Sequence, residues 1–178
     1  GHTNTVKIKD VLAIDTGFIV LNDKTYPTFT KFLSNLGVEI RYSDMSFGFY
    51  DQSTELSYAG TGLNGLFADR SNFFSPNYYR FLNGIKYFVK AASEDLENGK
   101  AKNFNLGEYF KNRKINQRGI NGYVLPIGTS IWSTPAKLKL EFPADTYLQF
   151  FKNHGLLSLK NRPKWHTVVG GSQEYVKT

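Results

Sequence analysis

The chain opens on an alternating stretch, "TVKIKDVLAIDTGFIVLN", that turns apolar toward its end. Period-two alternation places successive side chains on opposite faces of a strand, so this pattern predicts two strands, near Val6 to Ile8 and from Val11 to Val20, around a turn. The period then changes. In "YPTFTKFLSNLG", Phe29, Phe32, Leu33 and Leu36 recur at helical spacing, with Pro27 placed to start a helix and Gly37 to stop it. "VEIRYSDMSFGFYDQSTELSYAG" returns to alternation in two runs separated by "DQST", which is a hairpin signal.

The longest helix is predicted in "SPNYYRFLNGIKYFVKAASEDLENG", where Ser75 can cap, Pro76 suits the first helical position and Gly99 can end it. Tyr78, Phe81, Leu82, Ile85, Phe88, Val89, Ala92 and Leu96 form its apolar stripe, and the carboxylates of "SEDLE" read as a solvated last turn. Asn105 and Glu108 in "NLGEYF" have the spacing of a capping box. "INQRGINGYVLPIGTSIWSTP" reads as helical in parts, broken at Pro126 and Gly128. "FPADTYLQFFKNHG" predicts a further helix with Pro143 at its start, Tyr147, Leu148, Phe150 and Phe151 inward, and Gly155 as stop. The end, "WHTVVGGSQEYVKT", reads as a strand, a glycine turn and the first turn of a helix. Strands first and helices through the middle make an α+β pattern with a mixed or antiparallel sheet. No repeat or low-complexity linker divides the chain, so residues 1–178 read as a single region.

Composition narrows this picture. A chain of 178 residues with 40% hydrophobic and 16% aromatic content can bury one sizeable core, while two full domains would be a squeeze. The absence of cysteine excludes disulfides, zinc fingers and thiol catalysis. No run reaches the roughly 18 to 20 apolar residues of a membrane span, and "GHTNTVKIKD" is not a signal peptide, so a soluble cytoplasmic protein without a transmembrane segment is expected. A net charge of +7 suits a nucleic acid or an anionic membrane surface. The densest basic stretch, "KNRKINQR" with Lys111, Arg113, Lys114 and Arg118, is short and reads as a solvated face, so no nucleic-acid partner is expected.

The residues that carry chemistry are few. The histidines are His2, His154 and His166, no pair of them has metal-ligand spacing, and no G-x-S-x-G elbow occurs. No metal is expected, and no catalytic residue can be named. Gly60, Gly62 and Gly65 form a literal G-x-G-x-x-G. A dinucleotide fingerprint needs a buried parallel strand before it and an acid about 20 residues after it. Here the preceding residues are the polar "DQSTELSYA", and "FLNGIKYFVK" supplies no carboxylate. The motif therefore reads as a glycine-rich turn leaving a half-exposed hairpin strand. His154, in the last turn of a helix, can stabilise the helix dipole or face a pocket, and Trp132 and Trp165 are core bodies by default.

Several segments together resemble the flavin-containing amine oxidase superfamily, in its bacterial NAD/FAD-binding branch. They are "GHTNTV" at Gly1, "IDTGFIVLNDKTYPTF" at Ile14, "SDMSFGF" at Ser43, "YAGTGLNGLFADRSN" at Tyr58, "LPIGTSIWSTP" at Leu125, "FPADTYLQFFKNHGLL" at Phe142 and "RPKWHTVVGGSQEYV" at Arg162. They stand in the family's order and cover most of the chain. The resemblance implies that the family's nucleotide-binding glycines lie ahead of Gly1. It also implies that the chain is the substrate-binding part of a larger FAD-dependent oxidoreductase, with a few flavin-facing strands. The implied activity is hydride transfer from an apolar or amine substrate to FAD. By motif position Gly1, His2 and Thr3 would approach the pyrophosphate or flavin, and Asp15, Thr16 and Gly17 would lie along the isoalloxazine. An aromatic lining of Phe47, Phe49, Trp132, Phe151 and Trp165, with His154 at its edge, is the expected substrate cavity. The competing expectation is a stand-alone, non-enzymatic binding module for an apolar or anionic ligand. Strands shaped to pair with a flavin domain would leave apolar surface, so self-association is also expected.

Overall fold

The computed structural model describes residues 2–9, 11–132, 135, 139–158 and 163–177. The fold is α+β, with helices and two-stranded antiparallel sheets. The chain divides into two compact units, one formed by Gly1–Met45 with Asn161–Thr178 and the other by Ser46–Lys160.

In the first unit, β1 (Asn4–Ile8) pairs antiparallel with β2 (Leu12–Gly17), Val6 opposite Ile14 and Ile8 opposite Leu12. The strand expected to reach Val20 ends at Gly17. Phe18 adopts φ 56 and turns its ring against Phe29, centroids 4.8 Å apart, so the alternation gives way to core packing. Helix α1 (Pro27–Asn35) starts on its proline and stops before Gly37 at φ 67. β3 (Ile40–Tyr42) pairs antiparallel with β6 (His166–Val168). Leu21, Leu33 and Val168 form this unit's small core, flanked by Phe18, Phe29 and Tyr175. The first run of the stretch read as a hairpin is therefore divided: its start, Ile40–Tyr42, takes a partner far away in sequence, while its end forms the expected hairpin across "DQST" with the second run.

That hairpin opens the other unit, as β4 (Gly48–Asp51) and β5 (Leu56–Ala59). Asp51 shapes their turn, its carboxylate accepting from the Ser53 amide, Ser53 Oγ and Thr54 Oγ1. After it come α2 (Leu63–Leu66) and a 3-10 turn at Arg70–Phe74. The G-x-G-x-x-G thus follows a strand paired antiparallel in a two-stranded sheet, and Gly62, at φ 100, begins a helix of four residues. This is the glycine-rich turn leaving a hairpin strand that the polar flank announces.

Helix α3 (Pro76–Glu97) is capped by Ser75, whose side chain accepts from the Tyr78 amide at 3.3 Å, and it closes at Gly99, φ 65. Its buried face includes Tyr78, Phe81, Gly84, Phe88, Ala92 and Asp95. Asp95 corrects the reading of "SEDLE" as a solvated turn. It lies two helical turns beyond Phe88 on the same face and is fully buried. Arg113 meets its carboxylate through both Nε and Nη2, and the Tyr109 hydroxyl donates to it at 3.0 Å. Helix α4 (Leu106–Asn112) carries the expected capping box, Asn105 Oδ1 accepting from the Glu108 amide and Glu108 Oε2 from the Asn105 amide.

The break expected at Pro126 and Gly128 is absent. A helical turn, α5 (Gln117–Gly119), runs through a π turn at Ile120–Val124 into α6 (Leu125–Trp132). Proline disrupts a helix because it lacks an N–H and because its ring meets the carbonyl four residues back. The widened π turn just before Pro126 relaxes that demand. Gly128 serves packing, since a Cβ there would strike the hydroxyl of Tyr147, which donates to Val124 O at 2.7 Å. Tyr147 belongs to α7 (Ala144–Asn153), which stops before Gly155, at φ 69. Phe88, Tyr109, Val124, Tyr147, Leu148 and Phe151 form the centre of this unit's core. Among the described residues no helix is long and apolar enough to cross a membrane.

Candidate functional site

In the first unit the chain ties its own distant ends together at Asp15. The β1–β2 register sets Thr5 opposite Asp15, and the turn after β6 delivers Ser172 to the same place. The Asp15 carboxylate accepts from the Ser172 amide at 2.8 and 2.9 Å, from Ser172 Oγ at 2.9 Å and from Thr5 Oγ1 at 2.6 Å. Thr5 Oγ1 accepts in turn from the Gln173 amide at 3.0 Å. Ser172 is fully buried. The turn that presents it requires glycine: Gly170 and Gly171 have φ 82 and 95, and a Cβ on Gly171 would strike Thr5 and Asp15.

The expected cofactor residues gather around this knot. His2 and Thr16 are exposed. Thr3 Oγ1 shares a hydrogen bond with the Tyr175 hydroxyl at 2.5 Å, and Thr16 Oγ1 accepts from Asn4 Nδ2 at 2.6 Å. The close approach that Gly17 permits is to the segment leading into β1, where a Cβ would meet the carbonyl of His2. Gly1 lies outside the described residues. For an added cofactor, one observation in the unit bears on fit. Asn22 is fully buried, its Oδ1 accepts from the Thr25 amide and hydroxyl, and its Nδ2 has no hydrogen-bond partner among the described residues. A buried donor without an acceptor is costly, but the side chain is enclosed by the chain itself, so this alone does not open onto a cofactor site.

The second unit holds an open groove of about 510 Å³, walled by Phe47, Phe49, Tyr50, Leu125, Pro126 and Thr129. Phe47 and Phe49 both lean on the buried ring of Tyr58, centroids 6.3 and 5.8 Å away. The Tyr58 hydroxyl donates to Gly122 O, inside the π turn, at 2.8 Å. Burial drives the Tyr58 pKa well up, so this phenol stays neutral and remains a donor. Hairpin and helix are thereby pinned to each other on both sides of the groove. Its aromatic and aliphatic walls, with Asn121, Thr129 and Ser130 as polar members of the lining, suit a mainly apolar molecule that carries polar groups.

The remaining expected substrate residues stand in other places. Trp132 joins an aromatic stack with Phe142, Tyr147 and Phe150, and Phe151 is fully buried against Tyr147 and Phe88. His154 sits at the C-cap of α7, donating Nδ1–H to Phe150 O at 2.9 Å with its ring stacked on Phe150. Beside that stack Lys139 is fully buried, 5.6 Å from the Trp132 ring, with no hydrogen-bond partner for its ammonium among the described residues; burial lowers its pKa. Trp165 belongs to the first unit, where its carbonyl accepts from the Ser43 amide at 2.9 Å. Phe47 and Phe49 thus share one groove, Trp132, Phe151 and His154 share a separate aromatic cluster, and Trp165 stands in the other unit.

Sequence reasoning missed Thr5 and Ser172, although "GGS" carries a signal in its paired glycines. It also missed the groove wall at Leu125, Pro126 and Thr129, because Pro126 reads as a helix break. Among the described residues no cluster of His, Asp and Glu side chains could hold a metal ion. No protein-family model matches the chain, and no curated protein matches its sequence.

Proposed function

We propose that the chain supplies the substrate-side region of an FAD-dependent oxidoreductase of the amine-oxidase type, acting on an apolar or amine substrate. The observation that carries this reading is the Asp15–Ser172 knot: "DTG" and "GGS", remote in sequence and both among the segments that resemble the family, meet through direct hydrogen bonds. The division of the chain supports it too, since the motif-bearing ends make one unit and the residues between them make another that holds the apolar groove.

FAD, when bound, supplies a two-electron acceptor for the substrate's hydride. The chain's own contribution is positioning. In this reading Gly1, His2, Thr3 and Thr16 face the cofactor, Asp15 fixes the neighbouring strand and turn through Thr5 and Ser172, and Phe47 and Phe49 contact the apolar body of the substrate. The visible absorption spectrum of the protein expressed from its natural start codon tests this. Flavin bands that travel with the purified protein are expected. A protein that stays colourless after incubation with FAD overturns the reading, and the groove then favours a non-enzymatic binding module for an apolar ligand.

A further inference from the structure

Residues 63–80 form a lobe whose apolar side chains point outward in a way the core does not require. Phe74 is 90% exposed and Leu63 77%, and Phe73 and Tyr79 are exposed by nearly half. The lobe that carries them is cross-braced, with Phe73 and Tyr79 themselves in contact. Phe67 stacks on Phe73 at 4.2 Å and packs edge-on against Tyr78, the Tyr78 hydroxyl donates to Leu66 O, and the Tyr79 hydroxyl donates to Phe73 O at 3.1 Å. Asp69 closes the 3-10 turn, accepting from the Ser71 amide at 2.9 Å and Ser71 Oγ at 2.7 Å. A rigid scaffold therefore displays separate aromatic and aliphatic side chains at its surface, where each costs hydration free energy.

The charges beside them are Arg70 and Arg80. Asp69 is the lobe's single acid and is turned back into its own turn, and the chain as a whole carries +7. We propose that this lobe is a contact surface for an anionic lipid bilayer, with Leu63, Phe73 and Phe74 entering the acyl boundary. Tyr79 would lie at headgroup level, and the two arginines would meet lipid phosphates. The backbone fits that environment. It is α-helical or 3-10 through most of the lobe and bonds internally, which an apolar boundary demands. The exposed β1–β2 hairpin is the rival surface, but both of its strands are sheet edges with open N–H and C=O groups, which suits strand pairing. Two copies of the lobe meeting face to face would set arginines against arginines. The inference stands apart from the flavin reading, because it needs no cofactor.

Co-sedimentation of the full chain with phosphatidylcholine vesicles, with and without phosphatidylserine, tests it. The protein is expected to pellet with the anionic vesicles, less so as salt rises. The Leu63→Ser, Phe74→Ser double variant should bind at least about tenfold more weakly while melting like the parent, since both side chains are exposed. Arg70→Gln and Arg80→Gln should each weaken binding roughly fivefold, and only to anionic vesicles. The proposal is overturned if anionic vesicles capture no more protein than neutral ones. It is equally overturned if the Leu63, Phe74 variant binds unchanged, or if Ile8→Ser, Val11→Ser on the hairpin abolishes binding instead.

Discussion

Asp95 shows how much one buried carboxylate can ask of its neighbours. Its partner Arg113 keeps 34% of its side chain exposed, whereas Asp95 keeps none. The two halves of the pair are therefore unequal. Replacing Arg113 by Met strands the carboxylate with the Tyr109 hydroxyl alone, and urea denaturation should show a loss of about 3–5 kcal/mol. Asp95→Asn should cost clearly less, because the arginine can turn to water; a larger loss for Asp95→Asn would contradict this asymmetry. Gly128 makes a second test. In an open helix Gly→Ala gains about 0.5–1 kcal/mol. Here the added methyl meets Tyr147, and overpacking should destabilise by about 1–3 kcal/mol instead, with partial recovery when Tyr147→Phe removes the nearest atom.

At the scale of elements, the ends of helices and turns are set by single side chains. Asn105 and Glu108 satisfy each other's backbone amides at the start of α4, so Asn105→Ala should cost about 1 kcal/mol in thermal unfolding. Asp69 does the same work for the 3-10 turn of the lobe. The hydrogen bonds from Ser71 hold its pKa below the ordinary 3.8. A depressed folded-state pKa means that the contribution is whole above 3.8 and is lost as pH falls through the folded value. The protection factor of the Ser71 amide, its exchange rate relative to the intrinsic rate at the same pH, should therefore be raised at neutral pH and lost selectively in acid; a pH-independent protection factor would show that the carboxylate does not hold the turn. The π turn belongs to this scale as well, because it lets Pro126 stand in a continuous helix and forms a wall of the groove.

For the whole molecule, the governing fact is the apolar face left on the β1–β2 hairpin. Val6, Ile8, Leu12 and Ile14 sit as cross-strand pairs on one face and all are exposed. An isolated two-stranded sheet is marginal in water, and an apolar face with open edges invites another chain. Size-exclusion chromatography with light scattering should give a mass that rises with concentration above the 20.2 kDa monomer, and Val6→Thr, Ile14→Thr should reduce it. A constant monomer mass at high concentration would reject self-association.

What the sequence determined by itself was local. The starts and stops at Pro27, Gly37, Ser75, Gly99 and Gly155, the capping box and the Asp51 turn were legible because each rests on backbone dihedrals and hydrogen bonds within a few residues. That the G-x-G-x-x-G is a turn leaving a hairpin strand was legible for the same reason, in the polar strand before it. The tertiary structure decided the rest. The pairing of β3 with β6, the meeting of Asp15 with Ser172 and the burial of Asp95 under Arg113 all join residues that no short window contains together. The continuation of a helix through Pro126 depended on the π turn before it and on Tyr147 filling the space beside Gly128. Period and propensity fix which face an element would bury; which partner covers that face is chosen by the packing of the whole chain.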